Sequence, residues 1–296
     1  MDVVTISEYL EKFSDDIKNE LVNSFLGRHS GIYQWHYPDG SIIYLGGEYK
    51  FNDLDVEGKR LQSKLLKDFE KLSSLLTVLF SKETSEILSA IEKATSIINK
   101  YINQDEHLFH NNLNKIQQEV KDEFEKICEG IKCLYDSTSG KLLVVPDTNA
   151  LISYPDIEQW SIGTEEVIHI VLIPTILSEL DALKIDGKKS EEVRKKAKKL
   201  IKKIKEYIRR GDTEAGVDVV KGKIKLITVA LEPDFSWTLP WLDKDNNDDR
   251  AVASFLEVVR KHSRSKVFFV TGDVNLMNKL SYARLPYLDV ENLKKV

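Results

Sequence analysis

Four acidic side chains in the second half of the chain, Asp147, Glu179, Asp249 and Asp273, stand where carboxylates could do chemistry. Asp147 and Asp273 each follow a short apolar run, LLVV and KVFFV, the pattern of strands buried on both faces. Glu179 and Asp249 each fall near the start of an expected helix. In an open parallel sheet, strand C-termini and the following helix N-termini meet along one edge, where ligands bind. Carboxylates converging there repel one another and bind protons more tightly, which divalent cations among them relieve. Oxygen donors without His or Cys favour Mg²⁺ or Mn²⁺ over zinc. Two such ions, roughly 3.5–4 Å apart, activate water and stabilise the leaving oxygen in phosphodiester hydrolysis. Thr148, Asn149, Thr271 and Asn275 are placed to orient the ligands or the water. Each acid alone reads as an ordinary helix cap; four in comparable settings do not.

The elements that must position these acids follow one rhythm from about residue 138 to 296. Buried strands are expected at 142–145, 167–173 and 266–270, with a further strand at 223–229 and a last one near 285–290. Thr175 caps an expected helix from Ile176, with Glu179 in its first turn and Asp181 two positions on. A strongly basic helix spans 188–210. Val193, Ala197, Leu200, Ile201, Ile204 and Ile208 form its apolar stripe. Its lysines, Lys195, Lys198, Lys202 and Lys205 among them, have few acidic partners in sequence. Together with Arg250 they are candidate contacts to a nucleic-acid backbone, against the plainer reading of a solvated face.

Residues 1–137 read as a separate, mainly helical domain, joined to the α/β domain (138–296) by the polar cluster Asp136-Ser137-Thr138-Ser139-Gly140. A helix is expected over 5–26, a β-hairpin over 32–51 around Pro38-Asp39-Gly40, and helices from Leu54 to Leu134. The apolar stripes of these helices suggest a homo-oligomer, with an intramolecular cap as the rival role. His107 and His110 could share a helix face but lack partners for a metal site. Cys128 and Cys133, without a second Cys/His pair, do not make a zinc site.

The chain has 296 residues, 42% hydrophobic and 31% charged, enough for two packed domains. No apolar run reaches membrane-spanning length, and Met1-Asp2-Val3-Val4-Thr5 lacks the features of a signal peptide, so a cytoplasmic protein is expected. The net charge of −5 is uneven: −8 over residues 1–140 and +3 over the rest. A mildly basic half that also holds an acidic cluster suits a polyanionic substrate and bound cations.

Four segments in order, VVPDTNALI, PTILSELDAL, NNDDRAVASFL and VFFVTGDVNLM, resemble the PIN-domain nucleases over about residues 141–290. In that family the four acids hold metal and cleave RNA, or DNA in the flap-nuclease relatives. The resemblance implies Asp147, Glu179, Asp249 and Asp273 as both the catalytic and the metal-binding set. Asp248 is the alternative to Asp249, which is favoured because it precedes Arg-Ala-Val-Ala at the family's spacing. The implied activity is Mg²⁺- or Mn²⁺-dependent endonucleolytic hydrolysis of RNA in preference to DNA, in a toxin, a defence effector or an RNA-processing factor. A structure-specific DNase, or a PIN fold retained for RNA or protein binding, is the alternative.

Overall fold

The structure, a computed structural model, describes residues 5–35, 48–105, 112–135, 141–163, 165 and 167–295. The expected hairpin turn at Pro38-Asp39-Gly40, His107, His110 and the cluster at 136–140 lie outside the described residues. Helix α1 (Ile6–Asn19) starts at a reciprocal cap: Thr5 N donates to Glu8 Oε2 (2.7 Å) and Glu8 N to Thr5 Oγ1 (3.1 Å). It runs on as π-helical turns over Glu20–His29, past the end expected at residue 26. Strands β1 (Ile32–Trp35) and β2 (Glu48–Phe51) pair antiparallel, with Ile32 opposite Phe51, as a hairpin over 32–51 requires.

Helices α2 (Val56–Phe80), α3 (Ser85–Asn103) and α4 (Leu113–Tyr135) follow the three apolar stripes. Asp55 caps α2, its Oδ1 accepting from Gly58 N at 2.6 Å. Leu65, Phe69, Leu72 and Leu76 of α2, Ile91 and Ile98 of α3, and Ile116, Val120, Phe124 and Ile127 of α4 are all buried. The stripes that suggested a homo-oligomer are thus covered within one chain, and the packing reason for a second copy falls away. Residues Leu10–Cys133 form one compact unit; Leu134–Val296 form the other, together with Met1–Tyr9.

In the second unit, strand β3 (Leu142–Pro146), fully buried, leads into a short helix α5 (Thr148–Ser153). A two-residue strand β4 (Trp160–Ser161) precedes the buried strand β5 (Ile168–Leu172) and helix α6 (Pro174–Leu183). The basic helix α7 (Glu191–Ile208) follows, then β6 (Val217–Val220) and β7 (Ile224–Thr228). Helix α8 (Asn247–Lys261), strand β8 (Lys266–Thr271), helix α9 (Val274–Tyr282), strand β9 (Tyr287–Asp289) and the short β10 (Lys294–Lys295), paired with β4, complete the unit.

The main sheet has the order β6-β7-β5-β3-β8-β9, parallel except for the antiparallel edge strand β6. Leaving β6 aside, the strands read third, second, first, fourth, fifth in chain order. The winding therefore reverses between β3 and β8, and the crevice at such a reversal, beyond the strand C-termini, is where ligands sit in doubly wound sheets. The α/β fold with a preceding helical region and hairpin agrees with the sequence expectation. Two starts differ. Helix α6 begins at Pro174, a residue pre-set for a first helical position, so Thr175 is inside the helix and Glu179 falls in its second turn. Helix α8 begins at Asn247, capped by Asn246, which places Asp248 and Asp249 both in its first turn.

Candidate active site

Asp147 leaves the C-terminal end of β3 and caps α5. Its backbone N donates to Val270 O of β8 (2.9 Å), which ties the two strand ends together at the winding reversal. Ala150 N donates to its Oδ1 and Thr271 Oγ1 to its Oδ2, both at 2.5 Å. Asp147 is 5% exposed. Burial raises its pKa to about 6, with the neighbouring charges of Asp273 and Glu179 adding to the shift, while the bonds from Thr271 and Ala150 oppose it.

Asp273 follows β8 through the corner Thr271-Gly272-Asp273 and caps α9, its Oδ1 accepting from Asn275 N (2.8 Å) and Leu276 N (3.2 Å). The corner demands a glycine, because a Cβ at Gly272 would lie 2.9 Å from Val290 Cγ1. Thr271 serves both acids: its hydroxyl donates to Asp147 and accepts from Asp273 N (2.9 Å). Glu179 reaches in from α6, where Thr148 Oγ1 donates to its Oε2 (2.6 Å) and Asn247 Nδ2 to its Oε1 (3.1 Å).

The two adjacent acids of α8 part company. Asp248 lines the cleft, and Asn275 Nδ2 donates to its Oδ2 (2.9 Å). Asp249 is turned away and buried: Lys279 Nζ lies 2.7 Å from its Oδ1, and Asp243 N donates to its Oδ2 (3.1 Å). Successive helical residues point about 100° apart, and the step from Asp248 to Asp249 leaves the cleft side, whereas that from Asn247 to Asp248 stays on it. Asn247, Asp248 and Ala251 share the cleft side.

The cleft is about 280 Å³ and is lined by Asp147, Glu179, Asp248 and Asp273. Thr148 and Asn149 also line it, as do the apolar Ile176, Ala251 and Leu276. Of the residues expected to orient ligands, Thr148 and Asn275 bond cleft carboxylates, Thr271 links Asp147 to Asp273, and Asn149 is exposed at the lining. The sequence reading missed Asn247, Asp186 and Lys189, which also border the cleft. Asp186 lies three residues beyond the end of α6, in the turn before α7, where helical spacing from Glu179 gives no signal. Asp181 instead pairs with Lys184 (2.5 Å).

Among the described residues no three Asp, Glu, His or Cys side chains stand close enough together to grip one ion as a cage. The donor set nonetheless suits a hard divalent cation: it is all oxygen, and its most buried member is raised in pKa by burial first, with its acidic neighbours adding to the shift. Mg²⁺ in particular is held through one or two carboxylates plus water and substrate phosphates rather than by an all-protein cage.

On α7, Lys195 pairs with Glu191 (2.8 Å) and Lys203 with Asp156 (3.0 Å) and Glu158 (2.9 Å). Lys198, Lys202 and Lys205 are exposed and make no ion pair among the described residues. Arg250 is held by Glu232 (2.7 Å) and does not line the cleft.

No curated protein matches the chain. The family description "PIN domain" matches residues 144–291, half of the chain, and that span holds every carboxylate of the cleft and all five parallel strands bar the first two residues of β3. By that match, over a sheet that reverses where the acids gather, the chain belongs to the PIN domain family.

Proposed function

We propose that the protein is a divalent-metal-dependent endoribonuclease. The observation that carries this reading is the gathering of Asp147, Glu179, Asp248 and Asp273 on one cleft at the winding reversal of a PIN-domain sheet. These four carboxylates would hold Mg²⁺ or Mn²⁺. Asp248 takes the place in the metal set that sequence spacing favoured for Asp249. Such ions, when bound, would supply charge to activate water and stabilise the leaving oxygen in phosphodiester hydrolysis. The protein's own part is orientation. Thr271 and Ala150 N fix the Asp147 carboxylate, Thr148 and Asn247 fix Glu179, and Asn275 fixes Asp248. Lys189, which borders the cleft, and the exposed Lys198, Lys202 and Lys205 of α7 would take the phosphates of the flanking chain.

RNA is preferred to DNA on the family resemblance, and the test has an arm for each. Purified protein is incubated with labelled single-stranded and structured RNA and DNA, with Mg²⁺, Mn²⁺ or EDTA. Internal cleavage of RNA that EDTA stops is the expected result. Cleavage of DNA alone would move the assignment to a DNase, and no cleavage with either metal would overturn it.

A further inference from the structure

Lys279 is the one cation in direct contact with Asp248 and Asp249 among the described residues, and it belongs to α9, the helix that Asp273 caps. Its Nζ lies 2.7 Å from Asp249 Oδ1, 3.4 Å from Asp248 Oδ2 and 3.2 Å from Asn246 Oδ1. Asn246 is the α8 cap, accepting from Asp249 N at 3.2 Å. The lysine side chain is 19% exposed and that of Asp249 9%, so the pair is shielded, whereas Asp248 at 36% opens on the cleft. One ammonium group therefore joins the start of α8 to the body of α9, and the two helices carry Asp248 and Asp273 at their N-terminal ends.

We infer that Lys279 is a positioning residue that divides the Asp248–Asp249 pair, holding Asp249 out of the cleft so that Asp248 alone is presented to the metal. The inference rests on the metal-nuclease reading and adds a residue to it. Two neighbouring carboxylates left without the lysine would repel each other at a site already crowded with acids. With the lysine in place, its charge is taken up first by Asp249, the nearer partner at 2.7 Å, and Asp248 keeps only the longer contact at 3.4 Å, weak enough for a cation to displace. Asp249 thus acts by keeping Lys279 occupied, and never touches the ion.

This division makes a prediction that a ligand role for Asp249 does not. In Asp249→Asn the ammonium loses its nearer partner and turns to Asp248, already 3.4 Å away, where it competes with metal. Mn²⁺ affinity, read by calorimetric titration, should fall by about 10-fold or more, the usual cost of losing an outer-sphere partner. Adding Lys279→Met removes the competitor while keeping an unbranched apolar stem. The double variant Asp249→Asn/Lys279→Met should recover Mn²⁺ affinity to within a few-fold of the parent, a strongly non-additive cycle. If Asp249 is itself a ligand, the double variant stays as weak as Asp249→Asn, and the inference is overturned. A purely structural role for the lysine would show as a lower melting temperature in both Lys279→Met backgrounds without recovery of affinity, and that result also overturns it. The parent protein separates this from failure of the broader reading. A parent that binds no Mn²⁺ and cleaves no nucleic acid defeats the nuclease assignment and the lysine's role with it. A parent that binds Mn²⁺ and loses it in Asp147→Asn keeps the assignment, whatever the cycle shows.

Discussion

Ionised, Asp147 works against the fold. Its folded pKa of about 6 stands above the ordinary 3.8, so between those values the folded protein keeps a proton that the unfolded chain has released. The contribution of Asp147 to metal-free stability is therefore full below about pH 4 and is lost as pH rises through about 6. Asp147→Asn should leave the protein in EDTA at pH 8 as stable as the parent or up to about 3 kcal/mol more so, measured by denaturant midpoint. The same variant should lose Mn²⁺ binding, which separates function from fold at one residue. Protons compete for the carboxylate, so Mn²⁺ affinity of the parent should weaken as pH falls below about 6. Titration at pH 5, 6, 7 and 8 checks this, and an affinity independent of pH would argue against Asp147 as a ligand. His262 has the opposite sign: burial first, then Lys261, His169 and Lys141, lowers it to about 4. Its contribution is present above the ordinary 6.5 and is lost as pH falls through about 4.

At the scale of elements, α7 is where charge and packing are divided most cleanly. Ala197, Leu200, Ile204 and Tyr207 are buried, and Lys198, Lys202 and Lys205 lie on the opposite, exposed side. Changing those three lysines to Gln should weaken binding of single-stranded RNA. It should also flatten the log–log salt dependence by about 0.7 for each phosphate no longer neutralised, roughly 2 in all. A salt titration with an unchanged slope would return α7 to a merely solvated face. The buried strands β3, β5 and β8 were legible because each is a short, mainly apolar run, β7 because Ile224, Leu226 and Ile227 punctuate it, and Asp147 and Asp273 because each follows a buried run. Strand β6 was not, since Val217–Val220 includes Asp218 and sits at an antiparallel edge where one side meets water. Glu179 was identified, but its turn was misplaced because Pro174 starts the helix earlier than a Thr175 cap would. The choice between Asp248 and Asp249 lay beyond sequence spacing. Adjacent acids in a first helical turn look alike until Lys279, on another helix, takes one of them.

At the scale of the whole molecule, two units with their own buried cores share one chain, and all the cleft carboxylates belong to one of them. Calorimetry of the intact protein should show two unfolding transitions, with Mn²⁺ raising the melting temperature of one and leaving the other in place. A single transition that shifts as a whole would mean that the units unfold together. No helix of the described residues is long and apolar enough to cross a membrane. If one acidic cleft in the PIN unit does the chemistry, removing a single carboxylate from it must stop the reaction without unfolding the chain. The most direct measurement is the single-turnover rate of RNA cleavage in Mn²⁺ for the parent, Asp147→Asn and Asp273→Asn, each verified as folded. EDTA-sensitive cleavage by the parent is expected, with a loss of about 1,000-fold or more in either variant, a few kcal/mol of barrier. Parent-like cleavage by either variant, still dependent on metal, would place the chemistry elsewhere.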